Sequence, residues 1–77
     1  MQIETVGQFQ LHLIAHELPT GGWDPFVSVY RFDSRKEDFE CVIDKHHVNG
    51  RFDSYEAAIG AASKAGNSLI RESGSTN

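Results

Sequence analysis

Apolar and polar side chains alternate along the chain between residues 8 and 17. Phe9, Leu11, Leu13 and Ala15 occupy every second position, and the positions between them are mostly polar. This period of two is typical of a β-strand that buries one face. A proline and two glycines follow, and they predict a turn because glycine adopts positive φ without strain.

Two further strands are indicated downstream of this turn. Residues 25–32 are rich in β-branched and aromatic side chains, and residues 39–48 again alternate between apolar and polar. The polar run 33–38 between them has the length of a hairpin loop. Asn49 and Gly50 form a strong turn signal, which ends the third strand.

The last long segment predicts a helix. Asp53 suits the N-cap position, and Glu56 three residues later completes a capping box. Gly60 and Gly66 lower the helix propensity, which indicates either close packing against the sheet or a frayed second half. One apolar stripe recurs at helical spacing, and it comprises Tyr55, Ala58, Ala62, Ala65 and Leu69.

Together these elements predict an α+β fold in the order β-β-β-α, a three-stranded antiparallel sheet with one C-terminal helix packed on one face. A single domain is expected over residues 1–72, and a disordered tail over residues 73–77, which are small and polar. The predicted core under the helix comprises Phe9, Leu11, Leu13, Val27, Val29, Phe39, Cys41 and Ile43.

The second face of such a sheet has no element left to cover it. Ser28 belongs to this face by the same alternation. The pattern leaves open whether His46 also belongs to it. Exposed apolar patches often mark interaction sites, although scattered surface aromatics are also ordinary. We therefore predict an interaction surface that comprises His12, Ile14, Tyr30, Phe32 and Val42.

The favoured function is a non-enzymatic protein–protein interaction or regulatory module, whose partner is an unknown protein or a second copy in a homodimer. The alternative is a nucleic-acid-binding module that stacks bases on Tyr30 and Phe32. A net charge of −4 disfavours that alternative, because phosphate backbones require a basic surface.

The use of cysteine fits a reducing compartment. Cys41 is the single cysteine, so no disulfide forms within one chain, and its strand-like surroundings predict a small core residue. No signal peptide pattern is visible, and no apolar run is long enough to span a bilayer. A cytoplasmic protein with no membrane association is expected.

Chemistry-bearing motifs are missing from the sequence. His12 and His16 lie about 13 Å apart on one strand at its usual rise, which is too far for one metal ion. His46 and His47 are adjacent and point to opposite faces, and one of them could approach the first strand. No phosphate loop, nucleophile elbow or metalloprotease motif occurs, so no catalytic residue, metal or cofactor is expected.

Two stretches carry resemblances to known families. Residues 22–25, Gly-Trp-Asp-Pro, and residues 50–58, which open the alanine-rich helix, resemble a family of short uncharacterised proteins from Burkholderia-type proteobacteria. This resemblance covers residues 8–72 and implies a bacterial cytoplasmic protein. The same strand–turn–helix half is similar to the HicB-type antitoxin fold, a truncated double-stranded-RNA-binding-like domain, through Gly50, Ser54, Glu56 and Ala57.

Overall fold

A computed structural model describes residues 1–74, which form four antiparallel strands and one C-terminal helix. The elements are β1 (Gln2–Val6), β2 (Phe9–Glu17), β3 (Trp23–Asp33), β4 (Asp38–His47) and α1 (Tyr55–Gly74). The strands lie in the sheet in chain order, β1-β2-β3-β4. The predicted α+β class, the antiparallel sheet and the C-terminal helix are confirmed.

The predicted number of three strands is wrong, because β1 adds a fourth. β1 pairs with β2 over its whole length, from Gln2 opposite Leu13 to Val6 opposite Phe9. The two strands are joined by a two-residue turn, in which Gly7 has a φ of 58°. β1 is only five residues long, too short for a clear alternating pattern in the sequence.

Helix α1 packs on one face of the sheet, mainly over β2 and β3. The buried apolar residues between the two layers are Leu11, Leu13, Val27, Val29, Ala58, Ile59 and Ala62. Gly66 is buried at the closest approach, since a Cβ there would lie 2.9 Å from Leu11 Cδ1. The second half of the helix is thus seated on the sheet, as one of the two sequence interpretations of Gly66 required.

β4 departs from the predicted alternation because its register against β3 shifts twice. Val29 lies opposite Ile43, whereas its neighbour Tyr30 lies opposite Cys41, so β4 carries an extra residue there. A second irregularity separates the Val29 pair from the pair of Val27 and His46. Each extra residue reverses the face to which the following side chains point.

These shifts overturn part of the predicted core. Phe39 and Cys41 are exposed and lie opposite Phe32 and Tyr30, on the face away from the helix. Of the three β4 residues assigned to the core, Ile43 alone packs against it. The sheet was expected to continue a period of two, and the extra residues in β4 interrupt that period.

The helix begins one residue later than predicted, so its N-cap is Ser54 and not Asp53. The Ala57 backbone N–H donates to Ser54 Oγ at 3.1 Å, which is the bond that an N-cap side chain accepts. The Ala58 N–H donates to the Ser54 carbonyl at 3.1 Å. Ser54 therefore accepts hydrogen bonds from two backbone N–H groups in the first turn of the helix.

The sequence predicts a disordered tail over residues 73–77. The helix extends through Gly74, and residues 75–77 lie outside the described part of the chain. Within residues 1–74, no helix is long and apolar enough to cross a membrane.

Candidate functional site: the open face of the sheet

The sheet face opposite α1 is called here the open face. Residues that oppose each other in an antiparallel pair point to the same side, so the register assigns its members. They are Ile3 and Thr5 of β1; Gln10, His12, Ile14 and His16 of β2; Asp24, Phe26, Ser28, Tyr30 and Phe32 of β3; and Phe39, Cys41, Asp44 and His47 of β4.

Aromatic rings run along the whole length of the open face. His12 stacks on Tyr30 in its middle, with ring centroids 4.3 Å apart. At one end Phe32 meets Phe39 edge to face, with centroids 5.4 Å apart. Such contacts hold the rings in fixed positions on the sheet while one side of each stays accessible.

Phe26 anchors the other end of the open face. Its ring lies between two histidine rings, 5.5 Å from that of His16 and 5.0 Å from that of His47. His47 Nε2 also lies 2.5 Å from Asp24 Oδ1. This end combines one aromatic ring with a hydrogen-bonded polar pair, whereas the opposite end is apolar.

Ser28 holds the irregular part of β4 against β3. It is the one buried polar residue within the described chain, with 4% of its surface exposed. Its hydroxyl accepts a hydrogen bond from the Lys45 N–H at 2.9 Å and donates to Asp44 Oδ1 at 3.4 Å. Lys45 has a φ of 48°, so this bond supports a left-handed backbone that a lysine rarely adopts.

Tyr30 and Cys41 lie opposite each other on the open face. The pKa of the Tyr30 phenol is raised above its ordinary value of 10.0, chiefly because a negative charge on the Cys41 thiolate disfavours the tyrosinate. Desolvation, a hydrogen bond with Cys41 and the charge of Asp44 act in the same direction. The shift keeps the Tyr30 hydroxyl protonated to higher pH than an ordinary tyrosine, and a protonated hydroxyl can donate a hydrogen bond.

The structure brings together four of the five predicted interaction residues, which are His12, Ile14, Tyr30 and Phe32. Val42 is the exception, because the extra residue in β4 turns it to the helix side. There it borders a groove of about 270 Å³ together with Phe9, Leu69 and Ile70. His46 also falls on the helix side, since it lies opposite Val27.

Sequence reasoning left Ile3, Phe26, Phe39 and Cys41 out of the interaction surface. Phe26 alternates in step with Tyr30, so the strand pattern already contained that signal. Ile3 belongs to β1, which the predicted three-stranded sheet did not include, and Phe39 and Cys41 depend on the register shift. No simple sequence signal marks the latter two.

His12, His16 and His47 each contact an aromatic ring, and His47 also contacts the Asp24 carboxylate. Within residues 1–74, no three His, Cys, Asp or Glu side chains come close enough together to hold a metal ion. His47 is the histidine that approaches the earlier strands, and its carboxylate partner is Asp24.

No protein-family model, curated protein or solved structure matches the chain. The resemblances to the Burkholderia-type family and to the HicB-type fold therefore stay predictions.

Proposed function

We propose that the protein is a non-enzymatic interaction module that binds a protein partner through the open face. The observation that carries this proposal is the exposure of large apolar side chains on a face that no described element covers. Ile3 is 54% exposed, and Phe32 and Phe39 are each 39% exposed. Placing such groups against a partner removes apolar surface from water, which favours association.

The charges of the open face fit a protein partner better than a nucleic acid. The register assigns none of the seven lysine and arginine residues to it, with Lys45 of the irregular part of β4 left unassigned, and its acidic residues are Asp24 and Asp44. A nucleic-acid platform needs cations beside its stacking aromatics to neutralise phosphates. Tyr30 and Phe32 offer the stacking surfaces, but Lys45 is the one cation in the strands that could accompany them.

The alternative function, nucleic-acid binding in the manner of a double-stranded-RNA-binding or antitoxin domain, makes a separate prediction. Binding to a fluorescent oligonucleotide would appear at low salt and weaken steeply as salt is added. We expect no binding at low salt. Salt-sensitive binding that is lost on Tyr30→Ala would replace our proposal with the alternative.

Site-specific photo-cross-linking in cells that express the protein tests the proposal. A photoreactive phenylalanine analogue is placed at Phe32 or, as a matched control, at Val42, which is 45% exposed but lies on the opposite side of the sheet. We expect protein adducts from position 32 and few from position 42. Equal adduct yields at the two positions would contradict the open face as the binding surface.

The bacterial origin and cytoplasmic location that the sequence predicts belong to the same proposal. Cell fractionation of the tagged full chain in a bacterial host checks the location. A cytoplasmic partner would then be sought among the adducts of position 32.

A further inference from the structure

We propose that the occupant of the open face is a second copy of this chain, so that two sheets stack face to face in a symmetric dimer. This inference rests on the proposed function and names its partner. It is carried by the size of the face, by the placement of charges and by the state of the sheet edges.

The open face has the area of a small specific interface. The molecule is a two-layer slab with extents of 45 × 24 × 16 Å. Three strands of nine to eleven residues and one shorter strand give a face of roughly 30 × 18 Å at ordinary strand rise and spacing. Two such faces bury about 1,000 Å² in projection, near the lower bound for a specific interface, and side-chain relief adds to this area.

The charges of the chain are concentrated away from the open face. Nine of its eleven acidic residues lie elsewhere, and the register assigns none of its lysines and arginines to the face, with Lys45 of the irregular part of β4 left unassigned. Of the two acids on the face, Asp24 is paired with His47 and Asp44 accepts a hydrogen bond from Ser28. In a stack of two copies the net charge of −4 on each is therefore carried mainly outside the interface.

The sheet edges are poor sites for self-association. β1 offers only five residues. β4 is longer, but its two irregularities and the left-handed backbone at Lys45 interrupt the straight ladder that edge pairing requires. Among the ways in which two antiparallel sheets associate, stacking of the open faces is the one that this chain leaves unobstructed.

One symmetric arrangement is consistent with the strand register. A two-fold axis that runs along the strands, midway between β2 and β3, places β2 of one copy over β3 of the other at the same level. Since Ile14 lies opposite Phe26 in one sheet, Ile14 of each copy then covers Phe26 of the other. His16 lies opposite Asp24, so each His16 likewise comes over the Asp24 of the other copy. The two-fold symmetry produces two such contacts between an imidazole and a carboxylate.

Light scattering and sedimentation on the purified full chain, over a concentration series, test the inference. We expect a dimer for the wild type and for Val42→Glu, whose site faces the helix side. Ile14→Glu would place two unpaired carboxylates between the sheets, and we expect it to raise the dimer Kd by about a hundredfold or more. Circular dichroism establishes that each variant is folded. If Ile14→Glu does not fold, Phe32→Glu at its more exposed position takes its place with the same expectation.

The arrangement itself is tested by cross-linking. Two single-cysteine chains in a Cys41→Ser background, one with Ile14→Cys and a size tag and one with Phe26→Cys, are mixed and treated with a short bismaleimide. The register predicts efficient 14-to-26 products between the chains. A Val42→Cys chain mixed with the Phe26→Cys chain is the control, and products as abundant as those of the first mixture would overturn the arrangement.

The two proposals fail in different ways. A wild type that stays monomeric at every concentration, or a dimer that Ile14→Glu and Phe32→Glu leave unchanged, overturns the second-copy inference. Adducts with other proteins from position 32 would in that case still support an interaction module. Loss of the position-32 adducts as well would overturn both.

Discussion

Gly66 of the helix lies directly on Leu11 of β2, so close that a Cβ on the glycine would come within 2.9 Å of Leu11 Cδ1. Val27 Cγ2 would be only 3.0 Å away. Gly60, six residues earlier, has nothing within 4 Å of the same hypothetical atom. The two glycines of the helix thus lie in opposite environments. Gly66 allows the helix to pack closely on the sheet, whereas Gly60 borders open space.

Alanine at these two glycines should shift stability in opposite directions. Gly66→Ala gains helix propensity but forces the helix away from the sheet, so we expect a net loss of about 1–3 kcal/mol. Gly60→Ala meets no obstacle and should stabilise the fold by about 0.5–1 kcal/mol. Urea unfolding of both variants measures this, and equal shifts would contradict the close approach at Gly66.

Removal of the helix cap distinguishes Ser54 from its neighbour. Ser54→Ala removes the acceptor of the Ala57 N–H, and we expect it to cost about 1 kcal/mol of the free energy of unfolding. Asp53→Ala leaves that bond intact and should cost less. Thermal unfolding of the two variants compares their losses of stability. A larger loss for Asp53→Ala would show that Asp53, as the sequence indicated, is the N-cap.

Ser28→Ala should loosen the irregular segment of β4. The substitution removes the acceptor of the Lys45 N–H and the donor to Asp44, and it should destabilise the fold by about 1–2 kcal/mol. Amide hydrogen exchange should accelerate first at Lys45. Exposed Ser34→Ala is the control, with an effect expected within about 0.5 kcal/mol.

The Tyr30 phenol should titrate above the ordinary pKa of tyrosine, 10.0. In a Tyr55→Phe background Tyr30 is the only tyrosine, so ultraviolet absorbance of the tyrosinate reports it alone. Cys41→Ala removes the largest cause of the shift and should lower this pKa towards 10.0. An unchanged titration would show that the thiol does not govern the phenol.

The sign of the matching stability change follows from the same shift. Because the folded-state pKa of Tyr30 is raised, folding favours the neutral phenol. Its contribution is fully present below pH 10.0 and is lost as the pH rises through the folded-state pKa. Cys41→Ala should reduce this alkaline loss, which urea unfolding at a series of alkaline pH values can detect.

The sequence pattern predicted well wherever strands run without interruption. Leu11, Leu13, Val27 and Val29 follow the period of two and form the buried face under the helix. Ala58 and Ala62 follow the helical period with equal fidelity. In these segments each local preference agrees with the tertiary packing, so the pattern is a sufficient guide.

The pattern misled where the backbone inserts extra residues. Phe39 and Val42 exchanged their expected sides because β4 carries irregularities that no glycine marks, and one of them uses a positive φ at a lysine. Such bulges depend on a partner, here Ser28, which bonds the Lys45 backbone across the strands. A tertiary bond of this kind has no counterpart in the period of a single strand.

The agreement of sheet order with chain order has a consequence for how the protein folds. Each strand pairs with its sequence neighbour across a loop of two to five residues. The loss of chain entropy on forming each strand pair is therefore small. Docking of α1 is the long-range step, and the bond from Ser63 to Glu4 spans 59 positions. We therefore expect the hairpins to assemble early and the helix to set the folding rate, with Gly66→Ala slowing this docking step.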